Sequence, residues 1–300
     1  MDERPMGSAL PTLALLGTLW GLTPALAKLL VMSGWTPLTV ATAVGGISAV
    51  VLLAIVVARG ERLPLGRDYL RHYAAAGLFG MTAPNFCAMT ALQHIPAGFF
   101  ALIVPLSPLL TVLGTALLGM ERATRRRLAG MAAGLSGVAL AMAPGSALPD
   151  PALLPWALLA VLTPVCYALS NILGVRLAPR GAPALALAAG SMVAGTAMLL
   201  CVSVLSGELR APPSDVLLLV PLAQGGMGSL AFVLYFRSLA RNGPVVTSQI
   251  GYLITVTGIA WGYLLFGEVP GWLAVPAAGL VFLGLALVTL PGRRLSRAGA

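Results

Sequence analysis

The chain has 300 residues, of which 58% are apolar and only 9% charged, with a formal net charge of +9 and a mean hydropathy of +0.94. Soluble globular domains carry about 25% charged residues, so an aqueous fold is excluded. Nucleic-acid binding is excluded too, because it calls for basic residues interleaved with aromatics on an exposed face, and here they punctuate long apolar runs.

Apolar runs near the length of about 20 residues that a bilayer core requires follow one another at 10–31, 37–58, 73–93, 97–119, 128–144, 153–174, 182–205, 216–239, 244–266 and 271–291. Short polar or Gly/Pro segments separate them, leaving no room for a soluble domain and only brief tails at 1–9 and 292–300. The first run contains Ala25-Leu26-Ala27, which looks like a leader cleavage site. Its flank, however, holds Asp2 and Glu3 beside a single Arg4, and the run exceeds the roughly 7–15 residues of a secretory h-region, so it is read as a helix of the mature protein. Cys87, Cys166 and Cys201 lie in apolar runs without metal or disulfide spacing and are read as core packing.

The basic residues sort by side. The N-terminus and every second loop carry all of the 18 except Arg210 and Lys28, the latter inside the first run. Basic residues accumulate on the cytoplasmic side, so both termini are expected in the cytoplasm, with the protein in a bacterial inner-membrane type of plasma membrane.

Sliding the chain on itself by 147 residues places Trp20 on Tyr167, Ala91-Leu92 on Ser238-Leu239, Leu117-Leu118 on Leu264-Leu265, Glu121 on Glu268 and Gly137 on Gly284. Acidic residues are scarce, so the paired glutamates weigh more than the leucines. Five runs per unit is an odd number, which inserts the second unit upside down, the usual architecture of secondary transporters. The expected fold class is therefore an all-α membrane protein of ten transmembrane helices in two inverted five-helix repeats, 10–142 and 153–290.

Trp20-Gly21 with Lys28 eight positions after Trp20, the Pro-rich fourth run ending Leu117-Leu118-Gly119-Met120-Glu121, the glycines of the fifth run and the second Phe266-Gly267-Glu268 together resemble the EamA family of the drug/metabolite transporter superfamily. The resemblance covers both halves and implies a ten-helix exporter or permease for amino acids, nucleotide precursors or other small metabolites. Two departures stand out: Tyr167 occupies the place of the tryptophan in the second half, and Thr255 the place that Pro108 holds in the first. They bear on the substrate more than on the fold.

A solute path needs helix faces bearing polar or small groups, which are costly against lipid. Gly17, Gly21, Pro24 and Lys28 form one such stripe, with Trp20 on its edge; Pro164, Tyr167, Asn171 and Gly174 form another at helical spacing. Small-residue stripes serve helix packing equally well, but their recurrence in both halves points to a shared cavity. The third run adds Asn85, the eighth Gln224, Gly228 and Tyr235, and the ninth Ser248, Tyr252 and Thr255. The counterparts of that last set are Ala101, Pro105 and Pro108, so the second half is expected to supply more hydrogen bonds while the proline-broken fourth helix frees carbonyls and acts as a hinge. Each Ser or Thr can instead bond back to its own helix.

Lys28 has two readings: a cation snorkelling to the headgroups, or one at the outer mouth of the cavity. Glu121 and Glu268 close their runs, where negative charge opposes the helix dipole, and are assigned structural or gating roles. No Asp or Glu lies mid-run and no phosphate-binding loop occurs, which argues against a carboxylate relay and against ATP drive. His72 and His94 fall in loops and no HExxH motif is present, so no enzyme, metal or cofactor is expected. The expectation is a secondary transporter, an exporter or permease of a small neutral or zwitterionic metabolite such as an amino acid, working by alternating access. The rival reading is a non-transporting scaffold or channel. Its partners would be the solute and the lipid bilayer, with no nucleic acid; a homodimer is left open.

Overall fold

The computed structural model describes residues 10–95, 100, 103–120, 124–142, 150–210, 218–267 and 272–289. Every long regular element among them is helical: α1 (Leu10–Met32), α2 (Pro37–Ala58), α3 (Arg67–Gly77), α4 (Ala83–Leu92), α5 (Leu106–Leu117), α6 (Arg125–Met142), α7 (Leu154–Arg176), α8 (Ala184–Leu205), α9 (Leu219–Ser248), α10 (Ile250–Phe266) and α11 (Ala274–Thr289). Among the described residues, five stretches are long and apolar enough to cross a membrane: Leu10–Met32, Pro37–Ala58, Pro151–Arg176, Ala184–Leu205 and Leu219–Ser248.

One expected boundary moves. A π-helical turn at Leu78–Thr82 joins α3 to α4, so the third helix begins at Arg67 rather than at 73. His72 is consequently helical and fully buried, not a loop residue. The boundary expected between the eighth and ninth runs stays in place: within α9 the helical path is interrupted at Gly243, whose φ of 77° and ψ of 176° are not helical, just before Pro244. Proline lacks the N–H that the ladder needs, and glycine reaches positive φ without the clash of a Cβ, so this pair bends the chain where the sequence places a boundary.

The offset of 147 recurs in the backbone. The two 22-residue helices α2 and α8 stand at that spacing, and so do the positive-φ turns at Gly34 and Gly181 before them and at Gly60 and Gly207 after them. Thr36 caps α2 by accepting from Thr39 N, with Pro37 in the first turn, a favoured helix start.

The equivalent helices α2 and α8 meet antiparallel. Thr39 Oγ1 donates to Glu208 O at 2.8 Å, Thr42 and Ser203 share a hydroxyl bond of 2.8 Å, and Gly45 faces Thr196. The equivalent pair α6 and α11 also runs antiparallel, with Arg126 Nη2 donating to Ala286 O at 3.4 Å and Gly284 pressed against Gly130 and Gly134. By contrast α3 runs parallel to α8, with Tyr73 against Gly190 and Gly77 against Gly195. The equivalent contact, α9 on α2, is likewise parallel: Ser48 Oγ donates to Gly225 O at 2.7 Å, and Ser229 Oγ to Ser48 O at 3.3 Å.

The largest buried cluster joins Leu16, Leu52, Tyr73, Met192, Leu199 and Phe236, where these seams converge. Large apolar side chains such as Val50, Val57, Leu117, Leu205, Leu219 and Val275 stay exposed, as a lipid-facing surface demands. Cys201 is among the exposed residues while Cys87 and Cys166 are buried, which corrects the reading of all three as core.

Candidate functional site

Two breaks in the helices face each other. In the first half the helix is interrupted at Val104–Pro105, and Pro105 caps α5 with Pro108 in its first turn. In the second half Gln249 separates α9 from α10. A Cβ placed on Gly251 would lie 3.5 Å from Pro108 Cδ and 3.9 Å from Val104 O, so the two interruptions pack together. Residues 104 and 251 are themselves 147 apart, which puts the contact on the local axis relating the halves. Broken helices at a repeat interface are where secondary transporters place their solutes, because freed backbone groups and helix ends point inward there.

A buried polar cluster lies beside α5, between α7 and α9. Tyr235 Oη donates to Asn171 Oδ1 at 2.9 Å, and Asn171 Nδ2 donates to Thr111 Oγ1 at 3.3 Å. Thr111 Oγ1 donates onward to Ser107 O at 2.8 Å, while Ser170 Oγ stands 3.4 Å from Tyr235 Oη. All five residues are buried. Aromatic rings wall the cluster on the α1 side: Trp20 lies 5.6 Å from Tyr235 and 5.5 Å from Phe232, centroid to centroid. Rings beside an amide and a phenol combine apolar contact with a few directional bonds, the side-chain composition of small-molecule sites.

The expected residues distribute unevenly around this cluster. Trp20 and Asn171 belong to it. Tyr167 stands one turn before Asn171 on α7, half-buried. Gln224 Nε2 donates to Thr23 O at 3.4 Å, tying α9 to α1, and Gln224 Oε1 is buried without a protein partner. Asn85 Nδ2 donates to Met81 O at 2.7 Å and Ser248 Oγ to Val245 O at 2.7 Å, both within their own helices. Pro24 is exposed on α1, whereas Gly17 and Gly21 are pressed against Leu253 and Thr257 of α10; there Thr257 Oγ1 donates to Gly17 O at 2.9 Å. The first stripe is thus largely a packing seam. Lys28 is half-buried, with its ammonium 4.4 Å from the Phe266 ring centroid, a cation–π distance. Glu121 and Glu268, and the side chains of Tyr252 and Thr255, lie outside the described residues.

Thr111, Ser170 and Phe232 were not singled out from the sequence. The one signal for Thr111 is its place four residues after Ser107, which puts both on one face of α5.

The model of the EamA-like transporter family matches residues 8–143 and again 154–290. The "uncharacterized inner membrane transporter YedA" of Escherichia coli strain K12 is 29% identical over 278 residues, covering 91% of this chain and 87% of the relative. A "probable terminal-alkyne amino-acid exporter" of Streptantibioticus cattleyicolor is 31% identical over 248 residues, covering 78% and 79%. A crystal structure of a chain 25% identical superposes with a TM-score of 0.73, covering 97% of this chain and 99% of the other.

Proposed function

Because the chain belongs to the EamA-like transporter family of integral inner-membrane proteins, we propose that it carries a small neutral or zwitterionic metabolite, of the amino-acid class, by alternating access. Residues 10–142 and 153–290 form the two repeats, five membrane helices each, inverted relative to one another, with both termini in the cytoplasm.

The observation that carries the reading is the antiparallel meeting of equivalent helices. A two-fold axis along the membrane normal would make α2 and α8 parallel; an axis lying in the membrane plane makes them antiparallel, and the halves then point in opposite directions. The contacts between loops fit the same topology. Arg71, near the start of the third helix, shares a cavity with Arg176 at the end of the sixth and Arg180 just after it. Thr39, at the start of the second, meets Glu208 after the seventh. His94, after the third, stacks on Trp156 at the start of the sixth with 3.8 Å between ring centroids. Each pair belongs to one face in a ten-span arrangement.

In this reading Trp20, Asn171, Tyr235 and Thr111 receive the solute, with Tyr167 and Gln224 beside them. The breaks at Pro105–Pro108 and Gln249 are the hinge. The cluster carries no formal charge, which suits a neutral or zwitterionic solute better than a polyanion. The amino-acid class is further supported by the Streptantibioticus relative's name. The test is counterflow in proteoliposomes, with amino acids first in a metabolite panel. Saturable exchange of one class by the wild type, lost in Asn171→Leu, is the expected result. A protein that exchanges nothing would be a scaffold, and one that passes ions without saturating would be a channel.

A further inference from the structure

We propose a second site, unconnected with the solute path: the cavity of about 520 Å³ lined by Asp68, Arg71, Arg176, Leu177, Ala178, Pro179 and Arg180 binds a phosphate group, that of an anionic phospholipid headgroup. The three arginines come from distant parts of the chain. Arg71 stands on α3, Arg176 in the last turn of α7, and Arg180 in the turn leading to α8. Among the described residues none of them is ion-paired with Asp68 or any other carboxylate, and all three are exposed. Guanidinium is charged at any physiological pH and presents donors in a fork that matches phosphate oxygens.

Three such groups against a single carboxylate leave the concavity with an excess of two positive charges. A concave wall focuses that field on whatever enters. The volume falls within the roughly 300–1,000 Å³ of small-molecule pockets. Leu177, Ala178 and Pro179 also line it, and Leu70 beside Arg71 is exposed, so apolar side chains adjoin the charges as they do in a phospholipid. Basic pockets between membrane helices near the cytoplasmic surface are suited to such headgroups. An occupant would bridge the first half, through α3, to the second, through the α7–α8 turn.

The experiment uses the full-length protein in a neutral detergent and follows its thermal unfolding midpoint during titration with phosphatidylglycerol, with phosphatidylcholine and with inorganic phosphate. Phosphatidylglycerol should raise the midpoint saturably and phosphatidylcholine should not. Arg71→Gln and Arg176→Gln should each weaken the apparent affinity about fivefold, whereas the double variant Arg59→Gln/Arg62→Gln, on the same face but outside the cavity, should leave it unchanged. Asp68→Asn should strengthen binding, a gain of affinity that a damaged fold would not produce. If inorganic phosphate reproduces the shift at similar affinity, the phosphate site stands and its source is a free phosphate ester. Equal losses in the Arg59/Arg62 control, or undiminished binding by Arg71→Gln and Arg176→Gln, would overturn it.

Discussion

The buried cluster of Asn171, Tyr235 and Thr111 and the region 147 residues away from it make an unequal pair. The mates of these residues are Pro24, Ala88 and Gly258, none of which has a side chain able to hydrogen-bond. Asn171 is buried between two partners, while Pro24 is exposed on α1. Backbone and packing are nevertheless shared: α2 and α8 carry the same turns at both ends, and α3 on α8 repeats as α9 on α2. The repeat is thus preserved where close packing requires it and abandoned where the chemistry is. The two halves share a frame, and the polar cluster belongs to one side of it alone.

The frame itself can be broken first, with the largest expected effect. A Cβ on Gly77 would lie 2.6 Å from Gly195 N and 2.9 Å from Ser191 O, both backbone atoms that cannot swing aside. Overpacking typically costs about 1–3 kcal/mol, and a leucine here has no route of relief, so Gly77→Leu should yield little folded protein in the membrane. Gly226, with nothing within 4 Å of its Cβ position, should accept leucine with normal yield. Comparable losses at both sites, measured as folded protein after detergent extraction, would show that the α3–α8 seam is not the frame.

Next comes the asymmetry. Asn171→Leu preserves volume but removes the acceptor at 2.9 Å from the buried Tyr235 hydroxyl, leaving it only Ser170 Oγ at 3.4 Å, and an unmade buried bond costs about 1–3 kcal/mol. Transport should fall at least about tenfold, equivalent to about 1.4 kcal/mol of barrier, with Pro24→Ala staying within about twofold of wild type. Should Pro24→Ala depress counterflow as far as Asn171→Leu, the halves are chemically equivalent after all. Tyr235→Phe is gentler, since it removes one inter-helix bond, worth about 0.6 kcal/mol on average and up to about 1.7 in membrane bundles. Its thermal midpoint should change little while its transport rate drops several-fold, and the mate substitution Ala88→Ser should alter neither.

Much of the frame was legible in the sequence because it rests on local rules. Gly60 and Gly207 end equivalent helices where a positive φ is needed, and Gly243-Pro244 marks a kink wherever it occurs. The start of the third helix was not legible: Arg67, Asp68 and Arg71 read as loop by hydropathy, yet a helix end that reaches water can carry charges at no cost. Cys201 shows a second limit. Lipid tails are as apolar as a protein core, so composition cannot distinguish a side chain facing one from a side chain facing the other. Asn171 and Trp20 could be found on or beside stripes of small and polar residues, but Thr111 could not, because its role depends on a helix 60 positions away in the chain.

Thr111 and Gly258 give the finest discrimination. Thr111 accepts from Asn171 at 3.3 Å and donates to Ser107 O at 2.8 Å, so valine in its place leaves Asn171 Nδ2 without its acceptor. The expected cost is about 1 kcal/mol, read as a lowered thermal midpoint with transport reduced a few-fold. At Gly258 the Cβ position is 3.6 Å from Gly21 O, an ordinary contact, and alanine improves helix propensity by up to about 1 kcal/mol. Gly258→Ala should therefore keep full transport and equal or exceed the wild type in stability. The two substitutions alter the side chain by a similar amount at repeat-equivalent positions, so opposite signs would locate the asymmetry in the hydrogen bond rather than in packing. Matching losses would mean that α10 needs its close approach to α1 as much as α5 needs its bond to α7, and the polar cluster would lose its claim to be the distinctive half of the pair.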